Sequence, residues 1–277
     1  MRLASIAYAG GEAAARLTEA GLLLLPYRDL GELLAHEDWR ELAAAEGGDV
    51  VAVADATFLP VVPRPDKIIC LGRNYAEHVA ETGSDLPQHP MLFTKFRASL
   101  TGAYDEVAMP GASDRLDWEA ELVVVIGTGG RDIAKADALS HVAGYAVSQD
   151  LSVRDWQRHT PQWLPGKAWE GLTPVGPYLV TDDELPPGAV GLEIGCKVDG
   201  VVMQKSTTDK MIYDIPTVIE YVSTFISLEP GDVILTGTPD GVGNARDPKI
   251  FLEPGQVLET WVERVGEMRN LVVEATR

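Results

Sequence analysis

Two rhythms of apolar positions run through this chain, and the shorter one dominates. Lys67 to Gly72, Pro90 to Phe96, Leu122 to Ile126, Tyr145 to Gln149, Val233 to Leu235 and Val257 to Val262 are brief apolar or β-branched runs bounded by turn residues, the pattern of short strands. Leu122 to Ile126 is apolar at every position, which predicts burial on both faces. Helical spacing is clearest from Asp214 to Ser227, where Ile215, Val218, Ile219, Val222, Phe225 and Ile226 recur on one face. Asp214 is a plausible cap there and Pro216 falls in the first turn. Asp137 to Gly144 reads as a short helix and turn. Trp163 to Lys167 and Thr173 to Pro177 read as loops, as does the glycine-rich stretch Thr236 to Gly243.

Residues 1–62 differ. They are rich in Ala, Leu and Glu, with helical spacing at Leu30, Leu33, Leu34 and again at Trp39, Leu42, Ala43, and they predict a small appendage of one strand and two helices. Pro60, Pro63 and Pro65 then punctuate the chain, because each fixes φ and disfavours helix before it. The expected organisation is an N-terminal domain over 1–62 and a main domain over 63–277. Many short strands without regular β-α alternation make the fold class α+β, β-rich, rather than a doubly wound parallel sheet.

Composition narrows the partners. With 42 acidic against 23 basic residues and a formal charge of −19, the chain is a poor match for a nucleic-acid backbone. The longest apolar stretches are far too short to cross a bilayer, so no membrane partner is expected. Cys70 and Cys196 are the only cysteines, both in apolar runs, and read as core thiols of a reducing compartment. A soluble cytoplasmic protein is the expectation. G-x-S-x-G, H-E-x-x-H and paired C-x-x-C are absent, and Thr236 to Gly243 carries neither the dinucleotide spacing nor the Walker lysine.

Candidate chemistry gathers around Asp117-Trp118-Glu119-Ala120-Glu121. In an extended strand residues i and i+2 share a face, so Glu119 and Glu121 project side by side where the chain enters its apolar run. Adjacent anions there call for a positive charge, most simply a divalent metal ion; the same spacing also describes a solvated strand end. Asp150 ends the predicted strand Tyr145 to Gln149, where it could be a third ligand or merely begin a turn. His78 and Glu81 stand three apart, so on a helix the carboxylate can orient the imidazole as a general base, although such a pair also occurs on solvated helices. Lys95, among apolar neighbours, must reach solvent or meet an anion.

Taken together, Gly72-Arg73-Asn74-Tyr75 with His78 and Glu81, Asp117 to Glu121, Gly144 to Asp150, Gln157, Gly166-Lys167, Thr173 to Pro177 and Gly231 to Pro239 make the sequence from about residue 67 onward closely resemble the fumarylacetoacetate hydrolase superfamily, notably its acylpyruvases and catechol-pathway isomerases or decarboxylases. The resemblance implies a mixed β-sandwich roll around a divalent metal, usually Mg²⁺ or Mn²⁺ with Ca²⁺ also compatible, held by Glu119, Glu121 and Asp150. It implies that His78 and Glu81 form the catalytic dyad with Lys167 beside them. Arg73, Lys95, Gln157 and Thr238 then fall at substrate-pocket positions, and a homodimer is expected. The chemistry so implied is cleavage of a 2,4-dioxo acid of acylpyruvate type, through an enolate stabilised by the metal, to pyruvate or a related 2-oxo acid plus a carboxylic acid. The alternative built from the same parts is decarboxylation or isomerisation of a 2-oxo acid such as oxaloacetate or a catechol-pathway intermediate. Fold membership alone does not choose between them.

Overall fold

A computed structural model of the chain describes residues 1–275. Its centre is a 12-stranded, mostly antiparallel sheet in which Thr173–Thr181, Val142–Gln149, Ala120–Ile126, Val233–Leu235, Ile68–Gly72 and Met91–Thr94 lie side by side. A second sheet of five strands, including Glu193–Val198, Val201–Thr207, Val257–Val262 and Gly266–Val273, packs on one face of it. The architecture is β-rich, as the short apolar runs predict, and has the two packed mixed sheets that the family resemblance implies.

Strand Ala120–Ile126 explains why two layers are needed. All seven of its residues are buried. Leu122, Val124 and Ile126 point into a core shared with Ile194, Leu258 and Met268 of the second sheet, whereas Val123 and Val125 point the other way, against Leu30, Leu33, Leu34 and Trp39. Helix Ile215–Phe225 begins as expected, with the Asp214 carboxylate accepting from Thr217 N at 2.9 Å, and its face Ile215, Val218, Ile219 and Val222 enters the first of these cores.

The segment before the proline cluster contains the two short helices, Leu30–Leu34 and Trp39–Ala44, but five strands where one was expected. Ala-rich stretches such as Ala13 to Ala15 carry little β propensity of their own, and pairing with neighbours overrides it. Strand Arg2–Tyr8 bonds to Gly11–Thr18 on one side and to Thr173–Thr181 on the other, so the large sheet runs through both segments. Thr173 to Pro177 is likewise strand rather than loop. Pro174 pairs in parallel with Thr101, and Pro177 adjoins a shift of register against Val142–Gln149, where a missing N–H disrupts little. Trp163 to Lys167 folds as a four-residue helix, Leu164–Lys167, with Pro165 in its first turn, where no N–H is required.

One glycine is obligatory for close strand approach. A Cβ on Gly144 would lie 2.3 Å from Val180 O on the adjoining strand. Gly144→Ala is therefore expected to cost about 1–3 kcal/mol, the range for overpacking, read as a lower denaturant midpoint with unchanged slope. An unchanged midpoint would show that these strands can separate freely.

Candidate metal centre and active site

Strand register builds the acidic centre. Ala120 pairs with Gln149 and Glu121 with Ser148, so the residues just outside the ladder, Glu119 and Asp150, face one another, and Asp150 N donates to Glu119 O at 2.9 Å. Carboxylate oxygens of Glu119, Glu121 and Asp150 lie within 4.8 Å of one another, and all three residues are buried. Gln149 fixes the approach by accepting from Glu119 N at 2.7 Å.

Three buried cations stand against these acids. Lys167 Nζ lies 2.6 Å from both Glu119 Oε2 and Asp150 Oδ2. Arg154 reaches Glu119 Oε1 at 2.7 Å and Asp117 Oδ2 at 2.7 Å. Lys95 Nζ is 2.6 Å from Asp150 Oδ1 and donates to Thr173 Oγ1 at 2.7 Å. Burial pushes the Glu119 carboxyl up, but Lys167 and Arg154 outweigh it and hold it down at about 2. For Glu121 burial, and then the charges of Asp150 and Glu119, push the carboxyl well above the ordinary range, against the Gly237 N–H that donates to it at 2.7 Å.

Four carboxylates, with Asp117, thus meet three cations, and buried Asp150 Oδ1 has the Lys95 ammonium at 2.6 Å as its charge partner. This hard, all-oxygen donor set with surplus negative charge fits a divalent cation of the Mg²⁺, Mn²⁺ or Ca²⁺ kind, with Glu119, Glu121 and Asp150 as its holders.

The dyad geometry follows from a turn at Arg73, whose backbone is left-handed (φ 57°). Asn74 anchors that turn, its amide donating to Thr236 O at 2.8 Å and its side-chain oxygen accepting from Tyr213 N at 2.8 Å. Helix Ala76–Glu81 then places His78 Nδ1 2.7 Å from Glu81 Oε1, while Glu81 Oε2 accepts from Gly241 N at 2.9 Å. With Nδ1 donating to the carboxylate, Nε2 is the ring nitrogen left to move a proton.

A cavity of about 490 Å³ joins these parts. Arg73, His78, Glu81, Glu119, Gln157, Lys167 and Thr238 line it, and Glu121 and Asp150 do not. Nor does Lys95; it lies beneath, against Asp150. Lys167, read from the sequence as part of a loop, ends the short helix Leu164–Lys167 and is buried between two carboxylates. Six cationic side chains line the cavity against two acidic ones, in a chain of net charge −19. Neither Arg154 nor its partner Asp117 is assigned a role from the sequence, although Asp117 stands in the motif that carries Glu119 and Glu121. Their only signal is Asp117 standing two residues before Glu119, in the same alternation as Glu121.

Residues 67–273 match the family model for the fumarylacetoacetate (FAA) hydrolase C-terminal region, which is most of the chain. The chain belongs to the fumarylacetoacetate hydrolase family. Within that family, the mitochondrial oxaloacetate tautomerase FAHD2A of Bos taurus is 45% identical over 226 residues, covering 81% of this chain and 72% of the relative. Among solved structures, a candidate HpcE protein from Mycobacterium smegmatis superposes with a TM-score of 0.89 at 39% identity, covering 100% of both chains. The 5-carboxymethyl-2-hydroxymuconate delta-isomerase of Mycobacterium smegmatis gives 0.83 at 32% identity, covering 99% of this chain and 100% of the other. As for membranes, no helix among the described residues is long and apolar enough to cross one.

Proposed function

We propose that this member of the fumarylacetoacetate hydrolase family is a divalent-cation-dependent tautomerase that interconverts the enol and keto forms of a 2-oxo diacid such as oxaloacetate. The observation that carries the reading is the His78–Glu81 dyad on a cation-lined cavity that Glu119 also lines, with the carboxylates of Glu121 and Asp150 clustered against Glu119. Tautomerisation asks for no more than this: a proton leaves the 2-hydroxyl, a proton arrives at carbon 3, and no carbon–carbon bond breaks. His78 Nε2 carries the proton at carbon 3, while Glu81 keeps the ring oriented and steadies its charged form. Arg73 and Lys167 attract the carboxylate beside the 2-oxo group, and Arg154 fixes Glu119 in place. A divalent cation, Mg²⁺ or Mn²⁺, would supply when bound Lewis-acid stabilisation of negative charge developing on the 2-oxygen.

Acylpyruvate hydrolysis, the reading the sequence placed first, needs an attacking water as well, and the named tautomerase and delta-isomerase relatives favour the isomerisation alternative. Two buried free thiols, Cys70 and Cys196, support a reducing compartment such as the cytosol. The test follows the ultraviolet band of enol oxaloacetate with Mg²⁺ present, alongside assays for CO₂ and for pyruvate from an acylpyruvate. Rapid loss of the enol with neither product is expected. Enol decay at the buffer rate together with acylpyruvate cleavage would overturn the proposal in favour of hydrolysis.

A further inference from the structure

One wall of the cavity carries cations that the dyad and the carboxylate centre leave unused. Arg246, Lys249 and Arg158 all line it, and none has a carboxylate partner among the described residues. Arg246 is partly buried: one terminal nitrogen donates to Met203 O at 2.7 Å and Gly241 O at 3.2 Å, while its Nε is enclosed with no acceptor. Lys249 Nζ donates to Asn244 Oδ1 at 3.1 Å, and Arg158 reaches the same oxygen at 3.5 Å. Asn244 and Gly243 donate their backbone N–H groups to Asp117 at 3.0 and 2.7 Å, which ties this wall to the Arg154–Glu119 pair without placing it there.

The Arg246 guanidinium lies over the Trp118 ring and lines the cavity with its charge unmatched by any carboxylate among the described residues, so an anion entering the cavity can meet it. Arg158 and Lys249 are exposed at the cavity mouth and share the Asn244 side-chain oxygen, which sets their charges beside the partly buried Arg246. A 2-oxo acid bound with its oxo end toward Glu119 would leave any second carboxylate free to meet this wall.

We infer that Arg246, with Lys249 and Arg158, forms a subsite for the distal carboxylate of a 2-oxo diacid and so selects diacids over monoacids. The wall itself rests on the geometry just given; only the identity of the diacid rests on the tautomerase reading. The loop also bears on the dyad, because Gly241, whose carbonyl accepts from Arg246, donates its N–H to Glu81.

The test compares wild type with Arg246→Gln, Arg246→Lys and Lys249→Gln on enol oxaloacetate, which has two carboxylates, and enol phenylpyruvate, which has one. Losing a charge-assisted hydrogen bond should lower kcat/KM for the diacid by about 10- to 100-fold in Arg246→Gln, chiefly through KM, and lower it far less for the monoacid, which feels only the loosened Gly241 contact. Arg246→Lys should recover part of it. Lys249→Gln, which leaves the loop's backbone contacts intact, should show a smaller loss of the same kind. Equal losses on both substrates, or none on either, would overturn the subsite.

Binding by calorimetry separates this from the tautomerase reading, since it needs no turnover. Malate carries the distal carboxylate and oxalate does not. Arg246→Gln should weaken malate and spare oxalate; wild-type protein that binds malate no better than Arg246→Gln would overturn the subsite even if tautomerisation is confirmed. Selective weakening of malate in a protein that turns over no enol would support the subsite and refute the tautomerase reading.

Discussion

His78→Ala is expected to lower kcat for enol–keto interconversion by about 10²- to 10⁴-fold, the usual contribution of a positioned general acid–base. His78 is the histidine lining the cavity, and its ring is held by Glu81, which is itself held by Gly241 N. Removing the imidazole deletes the proton carrier but leaves Glu119, Glu121, Asp150 and the cationic wall untouched, so metal affinity and KM should change little. Glu81→Gln should fall between mutant and wild type, because an amide can still accept from Nδ1 but no longer balances the charge of the protonated ring. Steady-state rates with a metal titration check both expectations. A His78→Ala protein working at the wild-type rate would remove the dyad from the chemistry.

The second large effect is loss of the cation. Exhaustive treatment with EDTA should abolish turnover and Mg²⁺ or Mn²⁺ should restore it, because the charge developing on the 2-oxygen would lose its Lewis acid, and the cations beside Glu119, namely Lys167 and Arg154, are already paired with carboxylates. Glu121→Gln keeps the side-chain volume and removes one holder. Outer partners of a metal site typically cost about 10- to 100-fold in affinity when lost, and a direct holder should cost more. The same substitution should make chelated protein more stable. Burial and the neighbouring acids raise the Glu121 carboxyl above its ordinary 4.5, so the folded state holds its proton more tightly than the unfolded one. Its contribution to stability is therefore lost as pH rises above about 4.5, and glutamine escapes that loss. Thermal unfolding in EDTA at neutral pH checks the sign. Wild type more stable than Glu121→Gln there would contradict the charge surplus drawn from the structure.

How legible the molecule is from its residues depends on whether a feature is local. Leu122 to Ile126 declares its two-sided burial by being apolar throughout, and Asp214 to Ser227 declares a helix by cap, proline and spacing. Glu119 and Glu121 are visible as neighbours on one strand, and Asp150 as the end of another; antiparallel pairing of those strands then brings all three together. His78 and Glu81 meet within a single helical turn. The N-terminal strands are hidden because Ala and Leu runs are stabilised as strands by partners, one of which lies over 170 residues away at Leu179. The Lys167 burial is hidden because a Pro-Gly sequence resembles an exposed turn until its acidic partners are known. The cationic wall is hidden for the plainest reason: Arg158 ends a short helix while Arg246 and Lys249 share a loop far along the chain, and nothing periodic marks residues that meet at a cavity from two such segments.

The most direct measurement of the central claim is hydrogen exchange at carbon 3 of oxaloacetate in D₂O, followed by NMR with metal-loaded protein. The account predicts fast, saturable incorporation of deuterium with the four-carbon skeleton intact, lost on chelation and lost in His78→Ala. Exchange no faster than in buffer, or carbon–carbon cleavage keeping pace with deuterium uptake, would contradict it.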